Sequence, residues 1–331
     1  MVNCDIVIPV WNMPEMTKEC IDSIKDKSSY PFRLIIVDNG SDDGTARYLK
    51  GLESGGAVII RNDKNLGFAK AVNQGLALSK APYVCVMNND TIAADGWLKE
   101  MVAVMDSHPD IGVLNPSSNT LGQFSGGERS GSIQEMSTCR GFCMMIRRDV
   151  IEKIGFLDES FDIGFFEETD YCKRAASIGY KMARAKAAYV YHKESVSFNK
   201  RADAKELFEK NEKIYFSKWP RPVQAAYFIT GNGSGKAIDD IVKDIVKNGN
   251  KVIVYLKKGA DWPVTLDHMD IVKTEVNPIF FEFVALHKIL KRRKKKKLEV
   301  LMTDSPLFGS VLKNLRFLHG AKILINGKKE N

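Results

Sequence analysis

Tyr83-Val-Cys-Val-Met-Asn-Asn-Asp-Thr91 joins an apolar run of strand length to two amides and a carboxylate, and the fold turns on that junction. Tyr83 to Met87 is unbroken by polar residues, follows Ala81-Pro82 and stops at Asn88-Asn89-Asp90. A run without alternation predicts a strand buried on both faces, as parallel strands are. Such a strand delivers the residues after its carboxyl end into the crevice where open α/β sheets bind ligands. Here those residues are hard oxygen donors, suited to Mg2+ or Mn2+ and to phosphate-bearing ligands. Asn-Asn-Asp is equally good turn and cap chemistry before Trp97-Leu98, so the triplet alone does not decide.

Working outward, residues 3–116 alternate strand-like and helix-like segments with short connections, the pattern of a parallel sheet with right-handed crossovers. Strands are expected at Asp5–Val10, Arg33–Asp38, Ala57–Arg61, Tyr83–Met87 and Ile111–Asn115. Helices are expected at Glu15–Lys27, Thr45–Leu52, Gly67–Ser79 and Asp95–Ser107. Three strands end in polar residues: Pro9-Val-Trp-Asn12, Asp38-Asn39-Gly-Ser-Asp42-Asp43 and Asn88-Asn89-Asp90. Side by side, these ends form an acidic crevice. Without a Gly-x-Gly-x-x-Gly loop, it suits a nucleotide held through a metal ion better than a dinucleotide. Lys70, Asn73 and Gln74 share one face of the helix at 67–79, which either meets a diphosphate or faces solvent.

Residues 117–136 are rich in Ser and Gly and are expected to form a mobile surface loop, a candidate lid. Thr138–Ile146 returns as a strand-like run around Arg140-Gly141. Helical periodicity runs from Glu167 to Ile178, with Glu167 and Glu168 in the first turn, where the helix dipole favours ionised carboxylates. Asp170 and Arg174 are an i, i+4 pair with a structural role. Lys181–His192 is strand-like and ends in Tyr189-Val-Tyr-His192.

Pro9-Val-Trp-Asn12, Asp38-Asn-Gly-Ser-Asp-Asp-Gly-Thr45, Asn65-Leu-Gly67, Asn88-Asn-Asp90, Glu167-Glu-Thr-Asp170 and His192 occur in this order. Together they resemble an inverting family 2 glycosyltransferase of the GT-A fold, most closely the rhamnosyl- and galactofuranosyltransferase branch, over roughly residues 3–220. The resemblance implies an NDP-sugar donor (UDP- or dTDP-), a glycan or glycoconjugate acceptor, and Mn2+ or Mg2+ as cofactor. It places Pro9, Asn12 and Asp38 at the base and ribose, Asn65, Lys70, Asn88 and Asn89 around the donor, and Asp90 and His192 on the metal. The general base falls at Glu168, with Glu167 as its rival, because the family's common Glu-Asp-x-Asp reads Glu-Glu-x-Asp here. Asn88 and Asn89 stand where other members carry Asp, leaving Asp90 as the one charged ligand of that motif. Inversion needs a single base acting on the acceptor hydroxyl while a metal neutralises the leaving diphosphate. A scaffolding homologue without activity and a nucleotidyltransferase are the competing readings.

The chain has 331 residues, 44% of them apolar, and no run approaching the roughly 20 residues that span a bilayer. With no signal-peptide pattern, a cytoplasmic protein is expected, at most peripheral to the membrane. The six cysteines are scattered through apolar runs and read as buried free thiols, since Cys139 and Cys143 have no second pair for zinc. Charge is uneven: residues 226–331 hold 20 Lys and Arg against 11 Asp and Glu, whereas residues 1–225 hold 29 against 30. Within Lys288–Lys297, eight of ten residues are basic. That run is either a solvated helix end or a docking surface for an anionic membrane or protein partner. No aromatic residue interleaves it, so no nucleic-acid partner is expected.

Pro220-Arg221-Pro222 reads as a linker between a GT-A domain at 1–220 and a smaller Rossmann-like α/β domain at 221–331. The latter is expected to run as strand 225–230, helix 237–247 and strands 251–256, 299–302 and 322–325. Gly231-Asn-Gly-Ser-Gly-Lys236 departs from a P-loop, having Thr230 at the first glycine and Ala237 at the hydroxyl position. This part resembles the opening of a GT-B glycosyltransferase's N-terminal domain. The finish at Lys328-Lys-Glu-Asn331 suggests a chain cut from a longer one.

Overall fold

The computed structural model describes residues 3–122, 127–161, 164–194, 203–231, 235–292, 297–325 and 328–329. The chain divides into two compact units, Met1–Trp219 and Pro220–Asn331. In the first, β1 (Cys4–Val10), α1 (Pro14–Lys27), β2 (Phe32–Asp38), α2 (Thr45–Leu52), β3 (Val58–Arg61), α3 (Phe68–Leu78) and β4 (Tyr83–Met87) alternate as expected. All four strands are parallel, in the order β3-β2-β1-β4. The polar ends of β1, β2 and β4 therefore do lie side by side. Every residue of β4 is buried, as its unbroken apolar sequence requires.

Helix packing follows from spacing. Pro at the first position starts α1, and Thr17, Cys20, Ile21 and Ile24 fall on one buried stripe. In α3, Ala69, Val72 and Leu76 join Val7, Ile35, Val84 and Val86 in one core. Gly75 lets this helix approach β1: a Cβ there would stand 2.3 Å from Val7 Cγ1.

Beyond β4 the sheet departs from the simple doubly wound expectation. β5 (Thr91–Ala93), α4 (Trp97–Ser107), β6 (Ile111–Ser117), β7 (Ile133–Met136), β8 (Cys143–Arg147), α5 (Arg148–Ile154), α6 (Glu167–Ser177), β9 (Lys181–His192) and α7 (Ala204–Lys218) follow. β8 runs antiparallel between β4 and β6, and β9 pairs parallel to β6 and antiparallel to β5 and β7. This mixed, mostly parallel sheet between helices is the GT-A arrangement.

The expected mobile loop at 117–136 is corrected in part. β6 extends through Pro116 to a buried Ser117, Ser118 and Leu121 are buried, and Ile133–Met136 pairs with β9. Residues 123–126 of that stretch lie outside the described residues. The strand-like run at 138–146 becomes a turn through Arg140–Phe142 and a strand beginning only at Cys143.

The second unit is Rossmann-like. β10 (Gln224–Ile229), α8 (Gly235–Lys247), β11 (Lys251–Lys257), β12 (Ile271–Val276), α9 (Phe281–Arg292), β13 (Val300–Thr303), α10 (Pro306–Asn314), α11 (Arg316–His319), β14 (Lys322–Ile325) and β15 (Lys328–Lys329) form it. The sheet order is β12-β11-β10-β13-β14-β15, parallel except for the last pair. α8 covers one face, while α9 and α10 pack on the other.

Candidate functional site

Asp90 follows β4 and is buried, and the three-residue β5 begins at the next residue. Because β5 pairs with the end of β9, His192 is carried beside it: His192 Nε2 lies 3.3 Å from Asp90 Oδ1. The imidazole is stacked on Phe142, ring centroids 5.1 Å apart and planes 16° from parallel. Its Nε2 is buried and makes no hydrogen bond among the described residues. A buried ring nitrogen aimed at a carboxylate oxygen is a donor pair that fits a divalent cation. Among the described residues no cluster of three or more His, Cys, Asp or Glu is found.

The turn Arg140–Phe142 links this pair to the acidic helix start. Phe142 carbonyl accepts the Asn88 N–H at 2.8 Å. A Cβ on Gly141 would stand 3.9 Å from Glu168 Cβ and Cγ, so the backbone there runs directly beside that side chain. Asn115, fully buried in β6, holds the turn. Its amide donates to the carbonyls of Arg140 (2.9 Å) and Cys143 (2.5 Å), and its oxygen accepts the Arg140 N–H at 2.7 Å. His192 and Glu168 thus border one short turn, with Asp90 beside His192.

Glu167 and Glu168 open α6, entered through Phe165 and Phe166 at φ 73° and 75°. Two consecutive non-glycine residues in the left-handed region cost on the order of 1 kcal/mol or more each and persist only when clamped. The clamp is α7: Phe166 stacks on Tyr215 at 5.1 Å, Phe165 meets Phe208 edge-on at 5.2 Å, and Asn211 donates to Gly164 carbonyl at 2.6 Å. Burial raises the Glu168 carboxyl above the ordinary range, against a pull downward from Arg140. Glu167 is more deeply buried and raised further, by burial and then by the neighbouring Glu168. Asp170 is structural as expected, accepting from Arg174 Nε at 2.8 Å and from Trp219 Nε1 at 2.9 Å.

The first two strand ends are more self-contained than the sequence suggests. Asp38 is buried; its oxygens take the Ser41 N–H at 2.9 Å and an ion pair with Arg61. Asn12, at φ 58°, donates its N–H to Ser41 Oγ at 2.8 Å and accepts the Asp42 N–H at 3.0 Å, locking the two loops together. Pro9 is half-buried in β1, opposite Val37. Asn65 accepts from Asn39 and from Gly67 N–H, both at 2.9 Å. Asn89 donates to Thr17 Oγ1 at 2.9 Å, and Asn88 is half-buried beside it.

The polar face expected on α3 does not form. Asn73 turns inward to Leu157 carbonyl and Glu159, and Gln74 exchanges hydrogen bonds with Asn62, leaving Lys70 alone exposed.

Residues 5–155 match the family model described as Glycosyl transferase family 2. Over this segment, less than half of the chain, the sequence is similar to family 2 glycosyltransferases. The match ends before α6, so Glu168 and His192 rest on geometry. Among curated relatives, an uncharacterized protein of Sinorhizobium fredii, y4gI, is 26% identical over 223 residues, covering 58% of this chain and 24% of its own length. An amylovoran biosynthesis glycosyltransferase of Erwinia amylovora, AmsE, is 23% identical over 196 residues, covering 54% of this chain and 71% of its own. The chain spans 24% to 38% of the length of the first curated relatives it matches. A mannosyltransferase of Pyrobaculum calidifontis, solved with GDP-Man and Mn2+, superposes with a TM-score of 0.49 at 15% identity, covering 59% of this chain and 58% of that one.

In the first unit, Arg61, Asn115 and Phe142 escaped the sequence reading, because each acts on a partner more than 20 positions away. In the second unit, Asp304, just after β13, caps the end of β10. Its carboxylate accepts the N–H groups of Thr230 (2.8 Å) and Gly231 (3.0 Å) and the Thr230 hydroxyl (2.7 Å). Residues 232–234 of that turn lie outside the described residues.

Proposed function

We propose that the chain transfers a sugar from an NDP-sugar to a hydroxyl of a glycan or glycoconjugate acceptor, with inversion, in the manner of the rhamnosyl- and galactofuranosyltransferase branch. The observation that carries the reading is the Asp90–His192 pair at the carboxyl end of β4, joined through Arg140–Phe142 to Glu168. The family 2 match and the relative named for amylovoran biosynthesis support it. Asp90 and His192 would hold Mn2+ or Mg2+ against the donor diphosphate. Bound there, the cation supplies neutralisation of the charge that grows on the leaving diphosphate. Glu168 takes the acceptor hydroxyl's proton, and its raised carboxyl is the better matched to that task near neutrality. The β1 and β2 loops, with Pro9, Asn12 and Asp38, border the nucleoside, and Lys70, Asn88 and Asn89 lie toward the phosphates.

A panel of UDP-, dTDP- and GDP-sugars, assayed with Mn2+, Mg2+ or EDTA, tests this. Metal-dependent release of nucleoside diphosphate, lost on Asp90→Asn or Glu168→Gln with folding retained, is expected. Release of pyrophosphate would identify a nucleotidyltransferase, and no binding across the panel would overturn the enzyme reading.

A further inference from the structure

The outer surface of the α9–α10–α11 layer in the second unit is unusually apolar. The inward face is ordinary: Phe281, Ala285, Ile289, Phe308 and Leu312 are buried against the sheet. Outward, however, stand Ile279 (78% exposed), Phe280 (59%), Phe283 (74%), Leu307 (79%), Val311 (41%) and Phe317 (77%). The first three surround the start of α9, Leu307 and Val311 are an i, i+4 pair on α10, and Phe317 lies in α11. A scattered exposed phenylalanine needs no account, but six large apolar side chains on one helical layer do.

Charge on the same layer is predominantly positive. α10 and α11 carry no acidic residue and α9 carries only Glu282, whereas Lys291, Lys313 and Arg316 project from these helices. Lys297 joins them, its Nζ lying 3.4 Å from where a Cβ would stand on Gly320. Residues 293–296, the centre of the basic run, lie outside the described residues.

We infer that this layer docks on a lipid bilayer rich in anionic headgroups. Aliphatic and aromatic tips enter the acyl boundary while neighbouring Lys and Arg side chains meet lipid phosphates, the two-part pattern of interfacial helices. A nucleic acid uses the charge but has no use for Ile279, Leu307 and Val311, which offer no stacking plane. The surface lies within the second unit and is independent of the transfer reaction proposed for the first.

The test is co-sedimentation of the full chain with vesicles of phosphatidylcholine alone or mixed with about one-third phosphatidylglycerol. Binding to the anionic vesicles only, weakened by salt, is expected. The exposed triple variant Phe280→Ser/Phe283→Ser/Phe317→Ser should retain its Tm and lose on the order of tenfold in partitioning. The variant Lys291→Glu/Arg316→Glu should lose a comparable amount. Absence of vesicle binding, or binding undiminished in the triple variant, overturns the inference. So does a concentration-dependent dimer abolished by the same triple variant in a chain that ignores vesicles.

Discussion

Thr91 and His192 stand opposite each other across the antiparallel pairing of β5 and β9, and this register sets Asp90 Oδ1 3.3 Å from His192 Nε2. A strand of three residues thereby joins a carboxylate and an imidazole about 100 positions apart in the chain. A slip of one residue would turn His192 to the opposite face and separate the pair.

Asp90→Asn keeps the shape and removes the charge. We expect a drop of at least about 100-fold in kcat/KM for sugar transfer, because the charged half of the donor pair is lost. His192→Ala is milder: the Mn2+ concentration for half-maximal rate should rise by roughly tenfold. Metal titrations of initial rate for both variants check this, and unchanged titrations would remove the pair from the reaction.

Glu168 must be ionised to accept a proton, and burial raises its carboxyl. The acid limb of the kcat/KM–pH profile should therefore lie above the ordinary carboxylate range, with activity falling as pH drops through the raised value. Glu168→Gln should abolish this limb along with nearly all turnover, whereas Glu167→Gln should leave both largely in place.

Substitution of Glu167 is expected to affect stability rather than turnover. Its folded carboxyl is raised well above its unfolded value by burial, so the folded state holds the proton longer. The wild-type chain keeps its full stability below the unfolded pKa and loses about 1.4 kcal/mol per pH unit as pH rises toward the folded one. Glu167→Gln does not titrate. Its Tm advantage over wild type should be smallest at acid pH, grow with rising pH and then level off. Thermal melts across that range measure it.

Asn115→Ala removes three hydrogen bonds inside the sheet and leaves the groups of Arg140 and Cys143 without their partner. At about 1–3 kcal/mol for each buried group left unmade, a loss of roughly 3 kcal/mol or more is expected. Activity should fall more than stability accounts for, since the turn beside Glu168 and His192 loosens. Denaturant melts paired with kcat separate the two effects.

Gly75→Ala sets two effects against each other. Alanine favours the helix by about 1 kcal/mol, but its Cβ meets Val7 Cγ1 at 2.3 Å inside a closed core. Overpacking of that kind costs about 1–3 kcal/mol, so net destabilisation is expected. Adding Val7→Ala should recover part of it, which a double-mutant cycle measures.

Much of the frame was legible because β1, β2 and β4 contain unbroken apolar runs, Ile6–Val10, Leu34–Val37 and Tyr83–Met87, that a sheet covered on both faces buries. What followed was less so. Cys143–Arg147 is just as apolar, but its antiparallel insertion between β4 and β6 depends on where the chain re-enters, which periodicity does not encode. β5 is too short to read, and Ile133–Met136 hides two polar residues in four. At the site, residue types at strand ends pointed to Asp38 and Asp90, and the family resemblance pointed to His192. Arg61, Asn115 and Phe142 matter only through contacts made by folding. Asn73 looked like part of a polar face because spacing places a side chain without saying what covers it.

All six cysteines are free and buried, and burial pushes the thiols of Cys4, Cys20 and Cys139 upward, that of Cys20 to about 12. Alkylating reagents attack thiolates, so the native chain offers them little at neutral pH. A single cysteine introduced at Gly51, where an added side chain meets open space, would then carry a maleimide dye or spin probe against a silent background. The wild-type sequence thus needs no prior cysteine removal before site-specific labelling.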